Sequence, residues 1–154
     1  MTKPSKKALT HHKKVIQSVP VPAEWMFCDF TVPAGNPIED WVSQLNEDAE
    51  NYFWSILKAN RTVQIPAHWR DLRYLRGEPA KHRLWELRFR ADKAYRIIGF
   101  FSETIRMRAI LLIGCTHKQG VYDPHDALNT AITRKRLLEE GRATAHERQI
   151  PTDI

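Results

Sequence analysis

The chain is poor in the residues that staple small secreted or metal-dependent domains. Only two of its 154 residues are cysteine, Cys28 and Cys115, and both lie in apolar, strand-like runs. Two thiols exclude a disulfide-dense scaffold and fit a cytoplasmic protein with buried free cysteines. His11-His12, Cys115-x-His117 and His125 lack the spacing of a metal site, so neither a metal nor another cofactor is expected. No apolar run approaches the ~20 residues that span a bilayer, so no membrane association is expected. The N-terminus is basic without the apolar core of a signal peptide. Six glycines and nine prolines are scattered, which leaves no low-complexity segment and no internal repeat.

What is present is charge, unevenly placed. Residues 1–22 carry five lysines and no acid, a charge of +5. Residues 23–60 carry one lysine against seven acids, −6, and residues 61–96 carry ten bases against four acids, +6. An acidic first half followed by a basic stretch suits a protein that shows one basic face to a polyanion. The length fits one domain over residues 23–141, with a basic flexible tail at 1–22 and a frayed tail at 142–154.

Periodicity predicts an α+β fold. Glu24–Val32 reads as a strand. Asn36-Pro37-Ile38-Glu39 reads as a helix start, with Asn36 capping and Pro37 in the first turn. A continuous apolar stripe follows through Ile38, Trp41, Val42, Leu45, Ala49, Phe53, Ile56 and Leu57, with Asn60 as a stop. A shorter helix is predicted from about Pro66 to Leu75, carrying Arg70, Arg73 and Arg76 on its outer face. Asp123-Pro124-His125-Asp126 opens a last helix that Gly141 ends.

Between these helices, residues 84–118 read as three strands joined by two tight turns. Alternation puts Trp85, Leu87 and Phe89 on one face, and Glu86, Arg88 and Arg90 on the other. With Ala91-Asp92-Lys93 as the turn, Arg90 meets Ala94, Arg88 meets Arg96 and Trp85 meets Gly99. Like charges directly opposite cost up to ~1 kcal/mol. A broken local rule of this kind marks a functional site, unless Glu86 or Asp92 neutralises the pair. The next strand, from Arg106 to about Thr116, is apolar almost throughout, as a strand covered on both faces must be. His117-Lys118 follows at its end.

The order of elements, together with Trp85-Glu86-Leu87-Arg88, Tyr95-Arg96-Ile97-Ile98, His117-Lys118 and the Asp123–Ala131 helix, resembles the RelE/ParE toxin superfamily. The likeness is to the phage-derived HigB-like branch of type II toxin–antitoxin toxins, and it covers roughly residues 24–138. It implies a RelE-like fold: a mainly antiparallel four-stranded sheet, two N-terminal helices packed on one face, and a C-terminal helix. It also implies a ribosome-dependent mRNA endonuclease, needing no cofactor and neutralised by a cognate antitoxin protein. Carried onto this chain, the catalytic positions are Arg88, Arg96, His117 and Lys118. The chain departs from the pattern in its basic extension and in His117-Lys118, where lysine pairs are more usual.

RNA cleaves itself when a 2′-hydroxyl attacks the adjacent phosphate. Arginine's planar fork suits the charge that develops there. Arg88 and Arg96 are therefore expected to clamp the phosphate. His117 suits acid–base work near neutrality, and Lys118 would serve if its neighbours depress its pKa. Arg90 and Lys93 would hold flanking phosphates, and Arg70, Arg73 and Arg76 would contact ribosomal RNA. Two other functions fit the same fold: a ParE-like toxin that binds DNA gyrase without nuclease chemistry, and a non-toxic phage-derived protein that only binds nucleic acid or a partner.

Overall fold

A computed structural model describes residues 22–152; the reading of residues 1–21 as a basic tail lies outside them. The fold is α+β. In chain order it comprises β1 (Met26–Thr31), α1 (Pro37–Ser43), α2 (Glu47–Arg61), a 3-10 turn (Pro66–His68), β2 (Leu72–Tyr74) and the single-turn α3 (Glu78–Lys81). Then come β3 (Trp85–Arg90), β4 (Ala94–Phe101), β5 (Arg108–Lys118), β6 (Val121–Asp123), α4 (Ala127–Glu139) and β7 (Thr144–Glu147). No helix among the described residues is long and apolar enough to cross a membrane.

The sheet has seven strands rather than four. Its order is β2-β3-β4-β5-β1-β7, and β6 pairs with the end of β5. The four strands predicted from sequence lie side by side within it as β3-β4-β5-β1. Only β1 and β5 run parallel; the other pairings are antiparallel. The β3–β4 register is the one predicted, with Trp85 opposite Gly99, Arg88 opposite Arg96 and Arg90 opposite Ala94.

Both faces of the sheet are covered. On one, α1 and α2 lay Ile38, Val42, Phe53 and Leu57 against Trp85, Leu87, Ile97 and Leu111. On the other, α4 lays Ala127, Ala131 and Ile132 against Phe30, Ile98, Phe100 and Leu112. Each large apolar side chain buried this way contributes about 1.5–3 kcal/mol. The first helical layer lies so close that a Cβ on Gly114 would overlap the Trp41 indole.

Three predicted elements are different in the structure. The long helix is two helices, because Asn46 interrupts it: its Oδ1 accepts the Ala49 N–H at 2.8 Å and starts α2 afresh. The apolar stripe crosses the break without a gap, which hides it from periodicity. Asn36 caps α1 as expected, accepting the Glu39 N–H at 2.9 Å. The helix expected over 66–75 is instead a 3-10 turn followed by β2. Asn60 holds the Arg70 backbone at both ends, accepting its N–H at 2.7 Å and donating to its carbonyl at 3.1 Å. Asp71 then takes a φ of 61°, which a right-handed helix cannot absorb.

The segment expected to fray after residue 141 is anchored. β7 pairs antiparallel with β1. Just beyond it, the Arg148 side chain is 4% exposed and grips Asp29 with Nε at 2.8 Å and Nη2 at 2.7 Å. Nη2 also reaches Glu39 of α1 at 2.7 Å, and the guanidinium lies over Phe53 and Trp54 of α2. Burial alone would lower the Arg148 pKa, but the Asp29 and Glu39 carboxylates outweigh it and raise it. The partners are 119 residues apart in sequence, so no local pattern announces the pair.

Candidate functional site: an arginine face at the open end of the sheet

Strands β2 to β6 present a row of polar side chains on the sheet face that α4 covers only in part. β3 contributes Glu86, Arg88 and Arg90, and β4 contributes Arg96. Arg73 on β2 stands directly across from Glu86, on the same face. β5 contributes His117 through an irregularity. Gly99 faces Leu111 but Ile98 faces Ile113, so Leu112 is an extra residue. Strict alternation from Leu111 would turn residues 113, 115 and 117 toward α1 and α2. The bulge reverses that, putting Cys115 opposite Arg96 and His117 on the arginine side. The same count turns Lys118 to the opposite face.

Glu86 is the centre of the cluster. It is 2% exposed, yet it carries a carboxylate. Its Oε1 accepts Arg88 Nε at 2.8 Å and lies 2.7 Å from Arg88 Nη2. Arg96 Nε lies 3.6 Å from the same oxygen, too far for a hydrogen bond, and is buried without a partner of its own. Oε2 accepts the Tyr122 hydroxyl at 2.8 Å. One carboxylate thus offsets the repulsion between two arginines, and a tyrosine holds it in place.

The cations differ in reach. The Arg96 side chain is 13% exposed and donates Nη1 to the Tyr95 carbonyl at 3.1 Å. The Arg88 side chain is 44% exposed, so it meets the carboxylate on one edge and solvent on the other. A charge that is half desolvated and still reachable can bind an anion more strongly than a fully solvated one. Tyr122 is kept protonated: burial raises its pKa, and the bond to Glu86 raises it further. Its ring meets the His117 imidazole edge-on, with centroids 4.9 Å apart. Burial, and secondarily Glu86, pushes the Cys115 thiol up to about 12, which removes it as a nucleophile at neutral pH.

No family model matches this chain, and no curated protein or solved structure does.

Of the residues singled out from sequence, Arg88, Arg96 and His117 come to one face, with Arg90 exposed beside them. Lys93 is exposed in the β3–β4 turn. Lys118 is exposed on the far side, beyond the bulge. Arg70, Arg73 and Arg76 do not line one helical face, because that helix does not exist. Arg73 joins the arginine face through β2, while Arg70 and Arg76 are exposed in the flanking loops. Two members of the cluster carried no assigned role in the sequence reading. Glu86 entered there only as one possible neutraliser of the arginine pair. Tyr122 sits on β6, which the Gln119-Gly120 turn folds back onto β5; both turn residues have positive φ, 51° and 81°. An X-Gly pair after an apolar strand is the signal that would have found it. Among the described residues, no group of three or more His, Cys, Asp or Glu is placed to hold a metal ion.

Proposed function

We propose that the arginine face binds an RNA phosphate, and that the protein is a HigB-like toxin of the RelE/ParE superfamily, a ribosome-dependent mRNA endonuclease. The observation that carries this reading is the half-exposed Arg88 standing opposite Arg96, both arranged around buried Glu86, with His117 on the same face. A sheet that needed only stability would replace the three charges with apolar residues at little cost. The adjacent strands β3-β4-β5-β1 in a mostly antiparallel sheet support the RelE-like comparison, while the three further strands and the absence of a helix over 66–75 depart from it.

In this mechanism an incoming phosphate competes with Glu86 for the open edge of Arg88. Arg88 and Arg96 bear on the non-bridging oxygens, where charge builds as the 2′-oxygen attacks phosphorus. The bond from phosphorus to the 5′-oxygen breaks, leaving a 2′,3′-cyclic phosphate and a 5′-hydroxyl. His117 exchanges the protons, either removing one from the 2′-hydroxyl or supplying one to the 5′-oxygen. Because Lys118 faces away, His117 is the side chain on that surface placed to exchange protons with the substrate. Glu86 and Tyr122 set the arginine geometry before substrate arrives.

The test is induction of the full chain in a bacterial host, followed by mapping of mRNA 5′ ends. New ends within translated codons are expected. DNA-damage signalling with intact mRNA would contradict the nuclease reading and favour a gyrase-directed protein.

A further inference from the structure

The sheet face under α4 holds a second cation that the arginine cluster does not use. Arg134 lies on α4, on the β1 side of the sheet, two strands away from Arg96. Its guanidinium stacks over Phe30, 5.2 Å from the ring centroid, and Nη1 donates to the Leu112 carbonyl at 2.7 Å. Among the described residues no carboxylate pairs with it, although Asp40 and Asp126 line the same cleft. The guanidinium has five N–H donors, and only one has an acceptor among the described residues. The neighbouring Lys135 makes a useful contrast. It is 7% exposed, its Nζ donates to the His82 carbonyl and lies over Phe100, and the core encloses it. Arg134 is instead open on one side, toward a cleft of about 530 Å³ between α4 and the loop joining β1 to α1. Phe30, Val32, Pro37 and Leu137 give that cleft apolar walls, and Thr130 and Thr133 add hydroxyls.

We propose that this cleft is a binding site for a carboxylate carried on a small apolar body, with Arg134 as its anchor. A partly desolvated cation with no counterion is costly, and a bound carboxylate would supply the missing partner through a two-bond fork. Burial lowers the Arg134 pKa, in keeping with an uncompensated charge. The cleft's size and apolar lining match sites that enclose small organic ligands and orient them with one or two polar groups. Asp40 and Asp126 repel any anion, a phosphate dianion about twice as strongly as a monocarboxylate, so a single negative charge is favoured. The site therefore differs in chemistry from the arginine face and does not depend on its reading.

The experiment uses the full chain, uniformly labelled with nitrogen-15, and follows amide and Arg134 Nε resonances during three titrations. Benzoate supplies the carboxylate on an apolar ring, benzamide the same ring without charge, and inorganic phosphate the charge without the ring. Saturable shifts centred on Gly35, Thr130, Thr133 and Arg134 are expected with benzoate alone. In Arg134→Met, which keeps the stem and loses the fork, benzoate affinity should fall about tenfold or more. Equal responses to benzamide, saturable binding of phosphate at the same residues, or undiminished affinity in Arg134→Met would each overturn the proposal. If Arg134→Met does not fold, the contrast between benzoate and benzamide on the unaltered chain decides the matter.

Discussion

Two buried carboxylates in this protein are each held by arginine, and they are put to different ends. Asp29 and Glu86 are 3% and 2% exposed. Around Asp29 the arginine is closed in: the Arg148 side chain is 4% exposed, bonded to Asp29 and Glu39 and roofed by Phe53 and Trp54. Around Glu86 one arginine is nearly buried, but the other has a 44% exposed side chain. The first pair ties β7 and α1 to the middle of the sheet. The Glu86 group sets one carboxylate between two guanidiniums and leaves one edge accessible. Burial of a carboxylate alone does not distinguish the two; the exposure of its arginine does.

Substitution costs most at the closed pair. Replacing Arg148 with methionine leaves Asp29 charged and buried, which costs about 3–5 kcal/mol. Urea unfolding should show that loss, with β7 amides exchanging early. A loss below ~1 kcal/mol would mean the pair is not enclosed as described. Next is Glu86→Gln, which keeps the volume but removes the charge between Arg88 and Arg96. About 1–3 kcal/mol should be lost, read by the same denaturation. Arg148→Met should leave the arginine face intact, whereas Glu86→Gln should disorder it.

A smaller effect is expected from pH, because Cys115 lies against Arg96 in the Glu86 cluster. Burial is the main cause and Glu86 the second of a thiol moved from 9.0 up to about 12. The folded state therefore keeps its proton after the unfolded chain has lost it. That contribution is fully present below pH 9 and is lost as pH rises toward 12. Tyr95, moved from 10.0 to about 12 by burial and then by Asp92, adds the same sign of dependence only above pH 10. Unfolding free energy should fall between pH 9 and 10 more steeply in the unaltered chain than in Cys115→Ala. Parallel curves would contradict the burial argument. The smallest stability effect is that of Arg88→Ala, about 1 kcal/mol, because this guanidinium is half exposed and Arg96 and the Tyr122 hydroxyl remain beside Glu86.

The hairpin was legible in the sequence down to its residue pairs. Alternation over Trp85–Phe89 and Tyr95–Phe101 leaves only one register that keeps both apolar faces intact. The elements that were not legible were short or depended on distant partners. β2 and β6 have three residues each, too few for alternation to register. β7 depends on Arg148 finding Asp29 across the whole chain. The arginine face was half legible. Arg88 against Arg96 followed from the turn, but His117 and Lys118 separated only through the bulge at Leu112, which no residue in an all-apolar run could mark. Glu86 is visible as a neighbour, whereas its hydroxyl partner Tyr122 reaches it only through the Gln119-Gly120 turn.

On the proposed reading as an endonuclease, the open arginine edge, and not the closed one, would carry the chemistry. Its most direct test is growth of cells induced to express Arg88→Ala and the Arg88→Ala/Arg96→Ala double variant, with thermal melts to establish folding. Growth inhibition is expected to be abolished in both, while Arg88→Ala melts within a few degrees of the unaltered chain. A folded double variant that still arrests growth fully would contradict it.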